Sequence, residues 1–532
     1  MTKEDVDSVE RESVAAMAGN ENELLLQSEN KSNDSDAPEL NDAEHTENKS
    51  ESNSPQPQEN QNNEDAVDTA DEQELLERMR ADAVGDTMYS KKFILQTLMR
   101  LSQQKPESAL ELDLEDDLCK LWDMSVSPEV VALLLESDAI ELIMFAIAGS
   151  EDVRLYEILT GLLGNMCAQV ECVEQLTANA DWIELLLKLC TCMDTCMLLQ
   201  LMRIYQYVMA HVVSGKEQLA IDWYICFAAC ESSAKNLGFI LQQSVSDELL
   251  IAALKAINAV LASCALVEEE NAQSNNKLKP FAEVFLVQEL CDGVNNAFIR
   301  LMRDDLEKQA DEVDGLAGDQ LPVANSNDND DDDGDDDSQS LPKINCDVEV
   351  IQTYLNICTI LVQLPEAQSS MDLYAASIMY CLTRILQFLQ QPMQLLPLGE
   401  RQEEYLEDLA HICSCLKYFY EKDAFVHLLG IWTILSKHIV DYADYDENDF
   451  ESCEDEPRWQ YEEHAFKLLR LLGHMLIRAD ESILVKDMQE MDGNRVEMLR
   501  AALQVEQDED VILQSAQLRL SAVLNEVAGQ AK

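Results

Sequence analysis

The chain has 532 residues with 103 acids against 37 lysines and arginines, a formal charge of −66, and an isoelectric point near 4.1. A field of that sign repels nucleic-acid phosphates and anionic lipid heads and attracts basic proteins, so direct nucleic-acid binding is excluded as an expectation. Apolar residues reach 47%, enough for a sizeable core in two to four domains or one long repeat array. The opening "MTKEDVDSVERESVAAM" lacks the apolar centre of a signal peptide. No uninterrupted apolar run approaches the roughly 18 to 20 residues of a bilayer span, so no membrane segment is expected. The 16 cysteines then read as reduced thiols of cytosol or nucleus, packed as small hydrophobes.

Residues 1–85 lack Phe, Tyr, Trp and Cys and are rich in Glu, Asp, Asn, Ser and Gln. They cannot bury enough apolar area to offset backbone entropy, so the composition predicts a disordered acidic region, sensitive to proteases. One short helix is expected late in it, at "DEQELLERMR". Order is expected from about Tyr89. From there apolar residues recur every three or four positions, as in "YSKKFILQTLMRL" and "EVIQTYLNICTILVQL", with no alternating runs bounded by hairpin turns. The fold class is all-α.

The first ordered block spans 86–303. At "MSVSPEVVALLLE", Ser127 is a predicted N-cap with Pro128 at the first helical position. At "AGSEDVRLYEIL", Gly149 is expected to end one helix and Ser150 to cap the next. Residues 138–190 read as helix, turn, helix, then a further helix from about Asp181. Their pattern restarts after about 40 residues, the period of armadillo and HEAT solenoids. Residues 304–345 contain "NDNDDDDGDDDSQS" and read as a solvated linker or an insertion loop. A second helical block, 346–528, includes an acidic loop at 441–457 that also carries Tyr442, Tyr445 and Phe450.

The phrase "LLGNMCA" looks like the end of the longest helix of an armadillo repeat. In that family the matching Asn lines a concave groove and bonds the backbone of an extended peptide; here the match is Asn165. An Asn can both donate and accept, which suits either strand direction, and Gly161 and Gly164 permit close approach. The structural alternative is that Asn165 braces an inter-helix loop. Aligning the next unit puts Tyr207 at the equivalent place, and in "LKAINAVLAS" the choice between Asn258 and Val260 stays open, so an Asn ladder is not repeated. Trp122 in "CKLWDMS" has two readings, a packing residue before a turn capped by Asp123 or Ser125, and an exposed anchor for a partner.

Three phrases in order, "GDTMYSKKF", "LEDDLCKLWDMSVSPEVVALLLES" and "VRLYEILTGLLGNMCAQVECVEQL", resemble the serum amyloid A-like family, which is not the secreted apolipoprotein. The matching residues are Tyr89, Ser90 and Lys91; Trp122, Asp123, Met124 and Ser125; and Gly164, Asn165 and Met166. The resemblance covers roughly residues 85–180. It implies an armadillo-type fold, nuclear residence and a link to cell proliferation, with no known enzymatic activity. The acidic N-terminus and the Asp run depart from the family.

Chemistry is sparse. Cys190, Cys192 and Cys196 lie close together in "LCTCMDTCML", but no paired Cys-x-x-Cys knuckle accompanies them, so metal ligands are not expected. No phosphate-binding Gly loop or nucleophile elbow occurs, and no cofactor is expected. His427, His438, His464 and His474 sit on apolar helical stretches, where a hydrogen-bonded structural role is expected. The leading functional expectation is a non-enzymatic interaction scaffold binding protein partners, with Asn165, Tyr207 and Trp122 as candidate contacts, in the nucleus with the cytoplasm as a second location. The alternative is an acidic chaperone or escort for basic proteins such as histones or ribosomal proteins.

Overall fold

A computed structural model describes residues 82–105, 108–213, 217–273, 279–302, 348–363, 371–444, 458–506 and 510–530. Among them the regular structure is helical throughout, apart from an isolated bridge between Ala83 and Ser90. The expected all-α helical solenoid is therefore what the chain forms. The disorder and protease sensitivity expected of residues 1–81 and of the Asp-rich tract lie outside the described residues. Order begins slightly before the expected point, because the Asp82 carboxylate accepts from Lys92 N at 2.9 Å and also bonds the Ser90 hydroxyl.

The chain divides into two compact units. One takes the chain up to Ile183 together with Tyr207–Leu219; the other takes Glu184–Gln206 and all that follows Ala220. The first contains α1 (Lys91–Gln103), α2 (Leu112–Met124), α3 (Pro128–Glu136), α4 (Ala139–Gly149), α5 (Val153–Met166) and α6 (Val170–Thr177). The unit boundaries fall within α7 (Ala180–Leu189), α8 (Thr195–Val213) and α9 (Glu217–Ala229). Here α1 packs on α4 and α2 on α5, so each element rests on its counterpart in the next repeat.

Local signals explain the helix ends. Ser90 caps α1 by accepting from Phe93 N at 3.1 Å. Pro128 opens α3 as expected, but the Ser127 hydroxyl donates to the Glu129 carboxylate instead of accepting from the helix. Gly149 does end α4, whereas the cap of α5 is Asp152 and not Ser150. The Asp152 carboxylate accepts from Arg154 N and Leu155 N, and Ser150 Oγ accepts from Asp152 N. An ionised carboxylate is the stronger acceptor at a helix N-terminus, which decides between the two. The expected two-helix reading of 138–177 also missed the break at Cys167–Gln169, after which α6 forms a third short helix.

The second unit continues with α10 (Ser233–Gln243), α11 (Asp247–Gln273), α12 (Phe281–Phe285), α13 (Gln288–Leu301), α14 (Val348–Gln363), α15 (Met371–Leu389) and α16 (Pro392–Leu395). It ends with α17 (Glu400–Cys415), α18 (Lys422–Asp444), α19 (Arg458–Arg478), α20 (Glu481–Glu490), α21 (Gly493–Glu506) and α22 (Val511–Gln530). Two rows run through it. In one, α10, α13, α15, α18 and α21 stack in sequence; in the other, α11, α14, α17, α19 and α22 do so. The acidic loop expected from 441 starts later, since α18 runs to Asp444.

The stripe read from "EVIQTYLNICTILVQL" is buried as a set: Ile351, Tyr354, Leu355, Cys358, Leu361 and Val362. It meets α13 across the Asp-rich tract. The rings of Phe298 and Tyr354 stack with centroids 4.0 Å apart. Tyr354 Oη donates to Asn295 Oδ1 at 2.9 Å, and Asn295 Nδ2 donates to Ser377 Oγ on α15 at 3.0 Å. The tract therefore interrupts the sequence without interrupting the core, and the compactness boundary lies elsewhere.

The sequence reading of membrane length needs correction. Asp247–Val267 within α11 has a mean hydropathy of 2.1 over a span long enough to cross a bilayer, by length and composition only. Scattered polar residues such as Lys255, Asn258 and Ser263 break the run without lowering its mean enough. In this fold 61% of that window is buried inside the protein, the pattern of a central core helix.

Candidate functional site

The motif that the sequence singled out forms a brace between α2 and α5. Trp122 lies in the last turn of α2 and is half-buried. Its indole covers Gly161 so closely that a Cβ there would stand 2.2 Å from Trp122 Cζ2. One turn further along α5, Asn165 is only 8% exposed. Its Nδ2 donates to the Trp122 carbonyl and to Ser125 Oγ, each at 3.0 Å. Ser125 Oγ in turn donates to the same Trp122 carbonyl at 2.6 Å. Gly161 thus admits the ring, and Asn165 holds the turn that carries it. The structure brings Trp122 and Asn165 together and places Asn165 at an inter-helix turn, the alternative weighed against a groove contact. Asp123 is exposed, and Ser125 is the residue that closes the turn.

Tyr207 sits on α8, half-buried. In the same unit, the ring Nε2 of His211 lies 3.1 Å from the Cys167 carbonyl. Asn258 and Val260 are both buried, at 5% and 1% exposed. The Asn258 Oδ1 has no hydrogen-bond partner.

The three clustered cysteines fall on different pieces of chain. Cys190 follows α7, Cys192 is in the connecting turn, and Cys196 opens α8. Burial pushes the Cys190 thiol up to about 12, against the lowering effect of its contact with Tyr205 Oη at 3.3 Å. Burial likewise pushes Cys291, Cys381 and Cys413 up to about 12. Thiols held in that form are poor nucleophiles and poor metal ligands. Among the described residues there is no group of three or more side chains poised to hold a metal ion.

Sequence reasoning missed a different feature, on α14 and α17. On these two packed helices Gln352, Asn356 and Thr359 of α14 and Asp408 of α17 are half-buried, while Arg401 and Glu404 of α17 are exposed. Asp408 Oδ2 and Thr359 Oγ1 are both shut off from solvent, without a hydrogen-bond partner among the described residues. Burial, and then the charges of Glu404 and Glu407, push the Asp408 carboxyl up to about 6. Glu404 is raised in the same direction, by burial and then by Glu400. A helical-wheel signal was available: Asp408 stands three residues after Tyr405 and four before Ile412, both in the buried stripe. Arg401 on α17 itself opposes the rise at Glu404, and two other cations are engaged by other acids. Lys467 on α19 bonds Glu407 and Glu463, each at 2.9 Å, and Lys255 on α11 pairs with Glu349.

No family model matches the chain. It is, however, similar to curated proteins named SAAL1. Identity is 33% over 182 residues to Protein saal1 of Xenopus tropicalis, covering 32% of this chain and 38% of that protein. It is 36% over 197 residues to Protein saal1 of Danio rerio, covering 34% and 39%. With human Protein SAAL1 it is 37% over 106 residues, covering 17% and 22%. The chain thus spans about two fifths or less of the length of the curated relatives it matches. The resemblance drawn from the Tyr-Ser-Lys, Trp-Asp-Met-Ser and Gly-Asn-Met phrases points to the same proteins. Among solved structures, a designed armadillo repeat protein aligns at 14% identity over 61% of this chain and 99% of its own, with a TM-score of 0.35. A second, solved in complex with peptide (KR)4, aligns at 13% over 61% and 99%, also at 0.35.

Proposed function

We propose that this chain is a non-enzymatic protein-interaction scaffold whose α14–α17 surface receives positively charged segments of its partners. The observation that carries this reading is Asp408. Its Oδ2 is buried without a donor among the described residues, beside two further carboxylates, an arrangement that costs folding stability at neutral pH. A Lys or Arg side chain from a bound segment supplies the missing donors and charge. On α14, Gln352 Nε2 donates to Asn356 Oδ1 at 2.9 Å, which leaves the Gln352 side-chain carbonyl and the Asn356 amide N–H groups for an extended backbone. Nuclear residence and a link to proliferation, implied by the family resemblance alone, are further parts of this proposal.

The second reading, an acidic escort for histones or ribosomal proteins, is favoured by the net charge of −66. Binding through the diffuse charge falls steeply with ionic strength, whereas binding at a partly buried carboxylate falls less. The discriminating experiment captures partners from cell extract with wild type, Asp408→Asn and a variant lacking residues 325–340, at low and high salt. The scaffold reading expects Asp408→Asn to lose partners that the deletion retains. Partners lost only with the deletion, and only at high salt in wild type, establish the escort reading instead.

A further inference from the structure

The exposed face of α19 carries aromatic side chains where solubility alone would place charges. Trp459 and Phe466 are 59% and 39% exposed. Seven residues apart, they lie two turns along one helix face, and Glu463 stands between them, also exposed. Large rings left to solvent on one face mark a surface that a partner covers.

This face adjoins the Asp408 surface. Lys467 Nζ bonds Glu463 on α19 and Glu407 on α17, each at 2.9 Å, so one ammonium joins the exposed faces of the two helices. The charges of Glu404 and Glu407 reach Asp408. Glu404, Glu407 and Glu463 therefore rim a strip that runs from Asp408 to the two rings. Arg458 is paired with Glu462 and Arg470 with Asp510, and Arg401 offsets part of the negative charge from the start of α17.

We infer that this strip takes a two-part partner segment: a Lys or Arg side chain at Asp408 and, about three residues away, a large apolar side chain across Trp459 and Phe466. The inference rests on the reading of Asp408 given above. The acidic rim selects a cationic segment over an acidic one, and the rings supply an apolar contact that net charge cannot. The spacing follows from helix packing. Neighbouring helix axes lie roughly 8–10 Å apart. A segment in the polyproline II conformation advances about 3.1 Å per residue and brings every third side chain to the same side. A cation over α17 and an apolar group over α19 then stand about one such turn apart, in either chain direction.

The test titrates the full chain with two fluorescein-labelled peptides at pH 7.5 and moderate salt. One alternates Arg and Ala; the other has its central Ala replaced by Leu, which then stands three residues from an Arg on either side. Wild type is expected to bind the Leu peptide roughly fivefold more tightly. Trp459→Ala and Phe466→Ala should each remove most of that gain and leave affinity for the Ala peptide unchanged. Phe239→Ala, at an exposed ring on α10, should keep the gain. A melting curve for each variant shows that it is folded. Asp408→Asn should weaken both peptides by the same factor. No effect of Asp408→Asn on the Ala peptide overturns the receiving-site reading, and this inference with it. With that effect present, a Leu gain that is absent, or that survives both Trp459→Ala and Phe466→Ala, overturns the inference alone. Self-association of wild type in sedimentation that Trp459→Ala abolishes does so too, because a second copy then covers the rings.

Discussion

Gly161 and Asn165 lie one turn apart on α5 and do different work at the same contact. With the Trp122 indole seated 2.2 Å from where a Cβ would be, Gly161→Ala must displace the ring or the helix. Overpacking of this kind costs about 1–3 kcal/mol, read as a lower denaturant midpoint with an unchanged slope. Asn165→Ala removes the donor to the Trp122 carbonyl and Ser125 Oγ and should cost about 1–3 kcal/mol. Combined with Ser125→Ala, its effect should be less than additive, because the two side chains share one network. Strict additivity would show that they act independently. The asparagine was visible in the sequence as the polar member of "LLGNMCA". Its partners were not, because the carbonyl it meets lies more than forty residues earlier and only the stacking of α2 on α5 brings them together.

Asp408 offers the opposite sign at the same scale. Its folded pKa, pushed up to about 6, lies above its ordinary value of 3.8, so the native state holds the proton more tightly than the unfolded chain. The charged form is therefore destabilising above about pH 6, and the penalty disappears as pH falls toward 4. Asp408→Asn should accordingly stabilise the protein by about 1–2 kcal/mol at pH 7.5 and by much less near pH 4. Equal stability of the two proteins at pH 7.5 would show that the carboxylate is better solvated than its surroundings imply.

At the scale of elements, helix periodicity carried most of what could be read. The stripe on α14 and the start of α3 at Pro128 follow from local spacing and from proline's fixed φ. The cap of α5 was misplaced by two residues because Ser150 and Asp152 are both good caps and sequence alone does not rank them. The long Asp-rich tract read equally as a linker or an insertion loop, since composition reports only local solvation. The contacts of α13 with α14 and α15 cross it. Removing residues 325–340 should therefore shift the melting temperature by no more than a degree or two. Tyr354→Phe, which leaves Asn295 Oδ1 without the Tyr354 hydroxyl, should cost about 1–3 kcal/mol. A deletion more damaging than Tyr354→Phe would place structural contacts in the tract itself.

For the whole molecule, net charge and fold make separate contributions. The charge of −66 sets solubility and the sign of long-range attraction. In the scaffold reading proposed above, the two stacked rows of the second unit set where a partner's side chains would be received. The helical class was legible because 3.6-residue periodicity survives any tertiary arrangement. The proposed receiving surface was legible only in part: helical spacing puts Asp408 beside the buried stripe of α17, but the burial of its oxygen follows from packing that local spacing does not report. The most direct measurement is a titration at pH 7.5 and moderate salt of a fluorescein-labelled peptide alternating Arg and Ala. Wild type, Asp408→Asn and Asp292→Asn, a carboxylate on another helix, are compared. The scaffold account expects at least a roughly fivefold weakening for Asp408→Asn, the loss of one charge-assisted hydrogen bond, and no more than a slight one for Asp292→Asn. Equal weakening by the two variants would mean that the peptide follows net charge alone, and would contradict a receiving site on α14 and α17.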